Sequence, residues 1–471
     1  MAAYVFTAIT PAQALAITSA DSLLIDNSGA TGVTVSYLAS DTAQASISIA
    51  QGPVSATFGP AVSALSMAGR LTAADGSTLY VGDGLLNDSL AAAATNDALF
   101  GGGGADTLDG GQGSDLLQGN TGDDSLVAGA GNDTVYGGQN NDYVAVGGSA
   151  DVDAHNFAQG NKGADTIVGG VDSDTLLGGQ DNDSISGGGG ADYLNGNLGD
   201  DLVVGGAQAD RLFGEDGNDT LQGGAGANTL DGGAGNDSLT AIGGGSELNG
   251  GDGADTISAS GGAGGVDKIT GGIGDDSLNT SGGSDSLAGG DGADTLVALA
   301  GAANDSASLF GGAGDDVLQA STGADALNGG DGADTIDGGL GQDTLTGGAN
   351  ADVYRFSMSG GVATSSPTDG QLDRIVTWSS EDSLQIFFGG AASSTPGSGS
   401  NYAEIASAAS YSDALAQANA MIAAGAVDFV AVHVGVDVVV FADAAGNDGG
   451  ADLAVTLAGK GLADIASTNF I

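Results

Sequence analysis

The chain has 471 residues, 60 of them acidic against 7 basic, and a formal net charge of −53. That balance argues against nucleic acid and anionic membrane as partners, since both are bound by lysine and arginine set against phosphate. Cysteine is absent, which excludes disulfide stapling, and no apolar run is long enough for a transmembrane helix. Ninety residues are glycine. So acidic and glycine-rich a chain either stays disordered or takes the missing folding energy from bound cations.

Residues 1–82 alternate apolar and polar side chains in 33-VTVSYL-38, 46-SISIA-50 and 54-VSATF-58, with turn residues at 27-NSG-29 and 51-QGP-53. This predicts a small antiparallel β segment that caps or joins a larger structure. The opening MAAYVFTAITPAQALAITSADSLLI lacks a basic region followed by a compact apolar one. It reads as mature sequence, without a cleaved N-terminal signal.

Residues 83–355 repeat with a period of nine. Aspartate recurs at Asp88, Asp97, Asp106, Asp115, Asp124, Asp133, Asp142 and Asp151. After a slip around 154-AHNFAQ-159 it resumes at Asp165, Asp174, Asp183, Asp192, Asp201, Asp210 and Asp219. Asn228 and Ser246 then stand in aspartate positions on either side of Asp237, and Asp255 follows. Further slips lead to Asp267, Asp276, Asp285 and Asp294, and then to Asp316, Asp325, Asp334, Asp343 and Asp352. Two positions after each aspartate comes an apolar residue, from Leu90 and Leu99 to Tyr354; Asp153 is the one bad break. A nine-residue step turns an α-helix by half a revolution, so a helix would scatter these leucines over opposite faces. A strand of about three residues and a turn of about six fit instead, two such units making one coil. About thirty units predict about fifteen coils stacked at the strand spacing of about 4.8 Å, with the leucines inside. The slips near 154–159, 259–261 and 298–307 are expected to interrupt the stacked aspartates on one or both sides.

Residues 356–471 predict a mainly β cap. Two strands lie in 371-QLDRIVTWSSEDSLQIFF-388, a helix in 413-DALAQANAMIAA-424, a hairpin in 427-VDFVAVHV-434 and 436-VDVVVFAD-443, and a last strand in 453-LAVTLAG-459. The fold class expected is therefore all-β: a parallel, right-handed β-solenoid with a small N-terminal β cap and a C-terminal cap containing one helix.

The repeat turns carry the chemistry. Glycine permits backbone conformations that aim carbonyls at one point, and the aspartate adds a carboxylate there. Stacked turns then line each gap with carbonyls and two carboxylates. Such an oxygen set suits Ca2+ better than Mg2+, and the lack of thiols and scarcity of imidazoles argue against zinc or copper. Asp443, Asn447, Asp448 and Asp452 offer one further calcium turn, or a plain acidic one. With only His155 and His433 as histidines, no H-E-x-x-H and no G-x-S-x-G, no enzyme is expected.

Copies such as 102-GGGADTLD-109, 214-GEDGNDTLQ-222 and 338-GGLGQDTLT-346 resemble the repeats-in-toxin (RTX) calcium-binding β-roll. The stretch 347-GGANADVYRF-356 resembles the closing repeat of such rolls, and the segment after it, with 372-LDRIVTW-378, 443-DAAGNDGGAD-452 and 466-ASTNFI-471, is similar to the C-terminal region of such proteins. The resemblance implies that glycine turns supply carbonyl ligands and that the 26 in-phase repeat aspartates, Asp88 to Asp352, supply carboxylates to several structural calcium ions. It also implies export by a type I secretion system and folding on calcium outside the cell. In composition the chain resembles bacterial surface-layer proteins. The function expected is a secreted structural protein that self-assembles at the cell surface as a layer, filament or matrix. The alternative is a calcium-dependent adhesin, with cell-surface polysaccharide as a partner. The partial threonine row Thr107, Thr134, Thr166, Thr175, Thr220, Thr256 is too mixed with Leu116, Tyr143, Tyr193 and Arg211 to suit ice.

Overall fold

The computed structural model describes residues 87–147, 155–299 and 305–359, apart from isolated positions. It also describes strands between residues 3 and 82, and the stretches 362–363, 373–379, 381–387, 402–423, 429–442, 453–460 and 462–465. The protein is an all-β parallel β-solenoid of about 14 turns and divides into two compact units, Met1–Ala234 and Gly235–Ile471.

In the first unit successive repeats alternate between two parallel sheets. Thr107–Gln112 pairs with Ser125–Ala130, placing Leu108 against Leu126, and Leu116–Thr121 pairs with Thr134–Gln139, placing Leu117 against Val135. One coil is thus two repeats. Most strands run six residues rather than the three expected, because the glycine pair after the leucine stays in the ladder, as at Gly111 opposite Gly129. Burial alternates along most strands, so most contribute one large apolar side chain. Leu108, Leu126, Ile167, Leu176, Val203 and Leu212 are fully buried, each worth about 1.5–3 kcal/mol. So thin a core is short of apolar area for its length, and something else must hold the turns.

The insertion near residue 154 leaves the sheets in register. Thr134 pairs with Phe157 and Tyr143 with Thr166, steps of 23 residues instead of 18. Ala158, fully buried, takes the inward position of that coil. Asp151, the in-phase candidate ligand, and Asp153, the one bad break in the phase, lie outside the described residues.

At the N-terminal end Val33–Leu38, Ser46–Gln51 and Val54–Phe58 form the antiparallel sheet expected. Leu71–Ala73 and Thr78–Val81 lie beside the first coil, Leu79–Val81 running parallel to Ala98–Phe100.

The second unit is built from the same kind of rung and ends in the C-terminal region. Asp373–Thr377 adds in parallel to Thr344–Ala349, and Ser383–Phe387 to Val353–Ser359. Leu453–Leu457 then pairs with the 373–377 strand. The hairpin Phe429–Val434 and Asp437–Ala442 follows, and then Tyr402–Ala408. The helix Tyr411–Ala423 buries Ala414, Ala418 and Ile422 against Val430, Val432, Val439 and Phe441. Trp378 stacks on Tyr354 at 6.0 Å between ring centroids and donates its indole N–H to the Asp464 carbonyl. Among the described residues no helix is long and apolar enough to cross a membrane.

Candidate metal centre

The repeat aspartates are carried to the two edges of the solenoid, where the chain passes from one sheet to the other. All the described ones are buried, none more than 5% exposed. They form rows. In the first unit the N–H of Asp88 donates to Oδ1 of Asp106, and so on through Asp124, Asp142, Asp165, Asp183, Asp201 and Asp219, at 2.7–2.9 Å. The other row runs Asp97, Asp115, Asp133, Asn156, Asp174, Asp192, Asp210 and Asn228 at 2.7–3.1 Å. Asn156 therefore fills the position that the sequence spacing assigned to Asp151.

The second unit is built alike. One row is Asp237, Asp255, Asp276, Asp294, Asp316, Asp334 and Asp352, ending on Asp382. The other begins Ser246, Asp267, Asp285, has Ala307 where a side-chain acceptor is due, and continues Asp325, Asp343, Asp373. Asn156 in the first unit and Ala307 in the second thus interrupt the carboxylate series of one row, while the other row of each unit keeps aspartate across the insertions. Asp373 and Asp382 were missed by the repeat count. The signal was present: they stand nine residues apart, each followed two positions on by an apolar residue, Ile375 and Leu384.

Each carboxylate has a second oxygen. Oδ2 of Asp115, Asp124, Asp142, Asp183, Asp192, Asp201, Asp276, Asp294 and Asp316, among others, is buried without a hydrogen-bond partner. A buried polar atom left so costs about 1–3 kcal/mol, more when charged. Its surroundings are also acceptors. A Cβ placed on Gly110 would lie 2.6 Å from Asp115 Oδ2 and 2.5 Å from the Ala128 carbonyl oxygen. One on Gly205 would lie 2.5 Å from Asp210 Oδ2 and 2.7 Å from the Gly223 carbonyl oxygen. Asn228 shows the rule by exception. Its amide donates to the carbonyls of Gly224 and Gly226, at 3.3 Å each, where an aspartate would present an oxygen. Likewise the Thr280 hydroxyl donates to Asp285 Oδ2, and the Ser379 N–H donates to Asp382 Oδ2 at 2.6 Å.

Burial, the largest cause, pushes the ion-free acids upward: Asp115 and Asp192 to about 7, Asp142 and Asp183 to about 8. The backbone N–H of the preceding rung opposes the rise, and neighbouring aspartates of the same row add to it. Asp343 rises to about 8, through burial first and then the charge of Asp373.

Oxygen facing oxygen in a buried row is relieved by a cation. Among the described residues no point gathers three acidic or imidazole side chains, so the donor set is carboxylates one per rung plus backbone carbonyls. Hard oxygen donors in a gap that needs glycine on its wall fit Ca2+. The acidic turn 443–452 lies outside the described residues.

Among curated proteins none matches the chain. The RTX calcium-binding nonapeptide repeat matches residues 83–117, 118–153, 152–185, 168–203, 177–212, 204–239, 242–263, 261–296, 310–345 and 329–355. These segments cover more than half of the chain, which belongs to the family of RTX calcium-binding nonapeptide repeat proteins.

Proposed function

We propose that this calcium-binding β-roll is a secreted, non-catalytic structural protein that folds on calcium outside the cell and self-assembles at the cell surface. The observation that carries the calcium part is the row of buried, partnerless carboxylate oxygens held in register by the backbone. Calcium there is structural: an unfolded chain has no such site, so binding free energy becomes folding free energy. In a low-calcium cytoplasm the same row disfavours the coil stack, which suits export of an unfolded chain by a type I system. Self-assembly is supported by apolar side chains that reach solvent from the sheets, including Leu198, Leu202, Ile273 and Phe310.

One observation favours the adhesin reading. On one sheet of the first unit Tyr136 meets Phe157 at 5.7 Å and Tyr193 meets Phe213 at 5.3 Å, with the Arg211 guanidinium over Phe213. Rings beside amide and guanidinium groups suit the faces and hydroxyls of a polysaccharide. Electron microscopy of purified protein in millimolar calcium and in chelator separates the two. Sheets or filaments in calcium alone are expected. Monomers at high protein and calcium, retained on cell-surface polysaccharide, would replace assembly with adhesion.

A further inference from the structure

The two edges of the second unit differ in a second residue. Four positions after Ser246, Asp267, Asp285, Ala307 and Asp325, and so beside the carboxylate of the next repeat, stand Gly250, Gly271, Gly289, Gly311 and Gly329. A Cβ on any of them would run into Oδ2 of Asp255, Asp276, Asp294, Asp316 or Asp334 and into the carbonyl of the following coil. The equivalent positions of the other sheet are Ala241, Ala259, Thr280, Ala298 and Ala320. Their side chains are buried. They face the edge whose slots are Ser246, Asp267, Asp285, Ala307 and Asp325. Three of these five rungs lack either the carboxylate or its open oxygen. Ser246 turns its hydroxyl to the Gly243 carbonyl at 2.9 Å, Ala307 has none to offer, and Asp285 Oδ2 accepts from Thr280.

We propose that calcium loads along only one edge of the second unit, the Asp255–Asp334 edge, and that the opposite edge from Ser246 to Asp325 is closed without metal. On the loading edge every slot is aspartate, Oδ2 of Asp255, Asp276, Asp294, Asp316 and Asp334 is buried and partnerless, and every wall is glycine. On the closed edge a methyl, or the threonine side chain, occupies the wall. Asp267 and Asp325 keep partnerless oxygens there, so it is the alanines that shut the gaps. The closed edge reopens at Gly338 beside Asp343, next to the C-terminal region.

This inference rests on the calcium reading, and its test fails separately from it. Asparagine keeps the Oδ1 that accepts the ladder hydrogen bond, and Asn228 shows that a rung folds with it. The full-length chain carrying D267N and D325N is compared with one carrying D276N and D316N. Bound calcium is counted at saturation, and the calcium dependence of unfolding is measured. The first pair is expected to keep the wild-type count and dependence; the second is expected to lose about two ions. Equal losses in both would overturn the one-sided edge while leaving calcium binding intact. If D276N and D316N together prevent folding, D316N alone against D325N alone decides by the same comparison. A wild-type chain that binds no calcium would sink the calcium reading itself.

Discussion

The backbone N–H of Asp97 donates to Oδ1 of Asp115, eighteen residues on, at 2.7 Å. That bond fixes which oxygen is used and which is left. It aims the other oxygen, buried and partnerless, at a gap lined by carbonyls. The same amide–carboxylate link, repeated rung by rung, is both the vertical tie of the solenoid and the device that builds the cation row.

Removing one link tests how far its effect spreads. Asp192→Ala leaves the Asp174 N–H, now bonded at 2.8 Å, buried without an acceptor. The cost is about 1–3 kcal/mol, and it is local because each coil touches only its neighbours. Hydrogen exchange should speed up in Thr175–Gln180 and Arg211–Asp216 and stay unchanged in Ala98–Gly103. Uniform loss of protection would argue against independent coils.

Asn228→Asp makes the converse change. It removes two long hydrogen bonds to the Gly224 and Gly226 carbonyls and sets an oxygen against them. Without calcium the variant should be about 1–2 kcal/mol less stable. With calcium it should recover and bind one ion more than wild type. Melting in chelator and in calcium, with an ion count, checks both; an unchanged count would mean that the gap at residue 228 is closed for another reason.

Much of this was legible in the sequence because period nine acts through both backbone and core. Leu108, Leu212 and Tyr354 fall where the phase places them, inside. What was hidden depends on pairing across long steps. A 30-residue excursion separates Asp343 from Asp373, so the phase looked finished at Asp352. Asn156 was passed over because the slip was charged to the far side of Asp151, which preserved the nine-residue spacing, whereas the rung after Asp133 is Asn156. The six-residue strands were hidden for a different reason: glycine predicts a turn locally, yet here it pairs with the glycine of the next coil.

Acidity should act in opposite directions with and without the ion. In the ion-free fold burial raises Asp165, Asp201, Asp210 and Asp219 to about 6, Asp124 and Asp276 to about 7 and Asp142 and Asp183 to about 8, against an ordinary 3.8. A raised folded-state value gives stability that is complete below the unfolded value and is lost as pH climbs through the folded one. In chelator the melting temperature should therefore fall as pH rises from about 4 to about 8. Calcium needs the same groups deprotonated, so its apparent affinity should fall as pH drops across that window. Melting curves and calcium titrations at stepped pH check this. Parallel trends in chelator and in calcium would refute competition of proton and ion for one oxygen.

Gly205 provides the sharpest test of the gap itself. Its backbone is not among those with positive φ, so alanine brings no left-handed strain there. What alanine adds is one methyl carbon, 2.5 Å from Asp210 Oδ2 and 2.7 Å from the Gly223 carbonyl oxygen if nothing moves. Overpacking of this kind costs about 1–3 kcal/mol. The two oxygens it strikes are also the ones a calcium ion would need, so the loss should be larger in calcium than in chelator. Far-UV circular dichroism across a calcium titration should show the folding midpoint moved to higher calcium. Were the penalty the same in chelator, the methyl would be crowding the backbone alone, and the space beside Gly205 would not be where the ion sits.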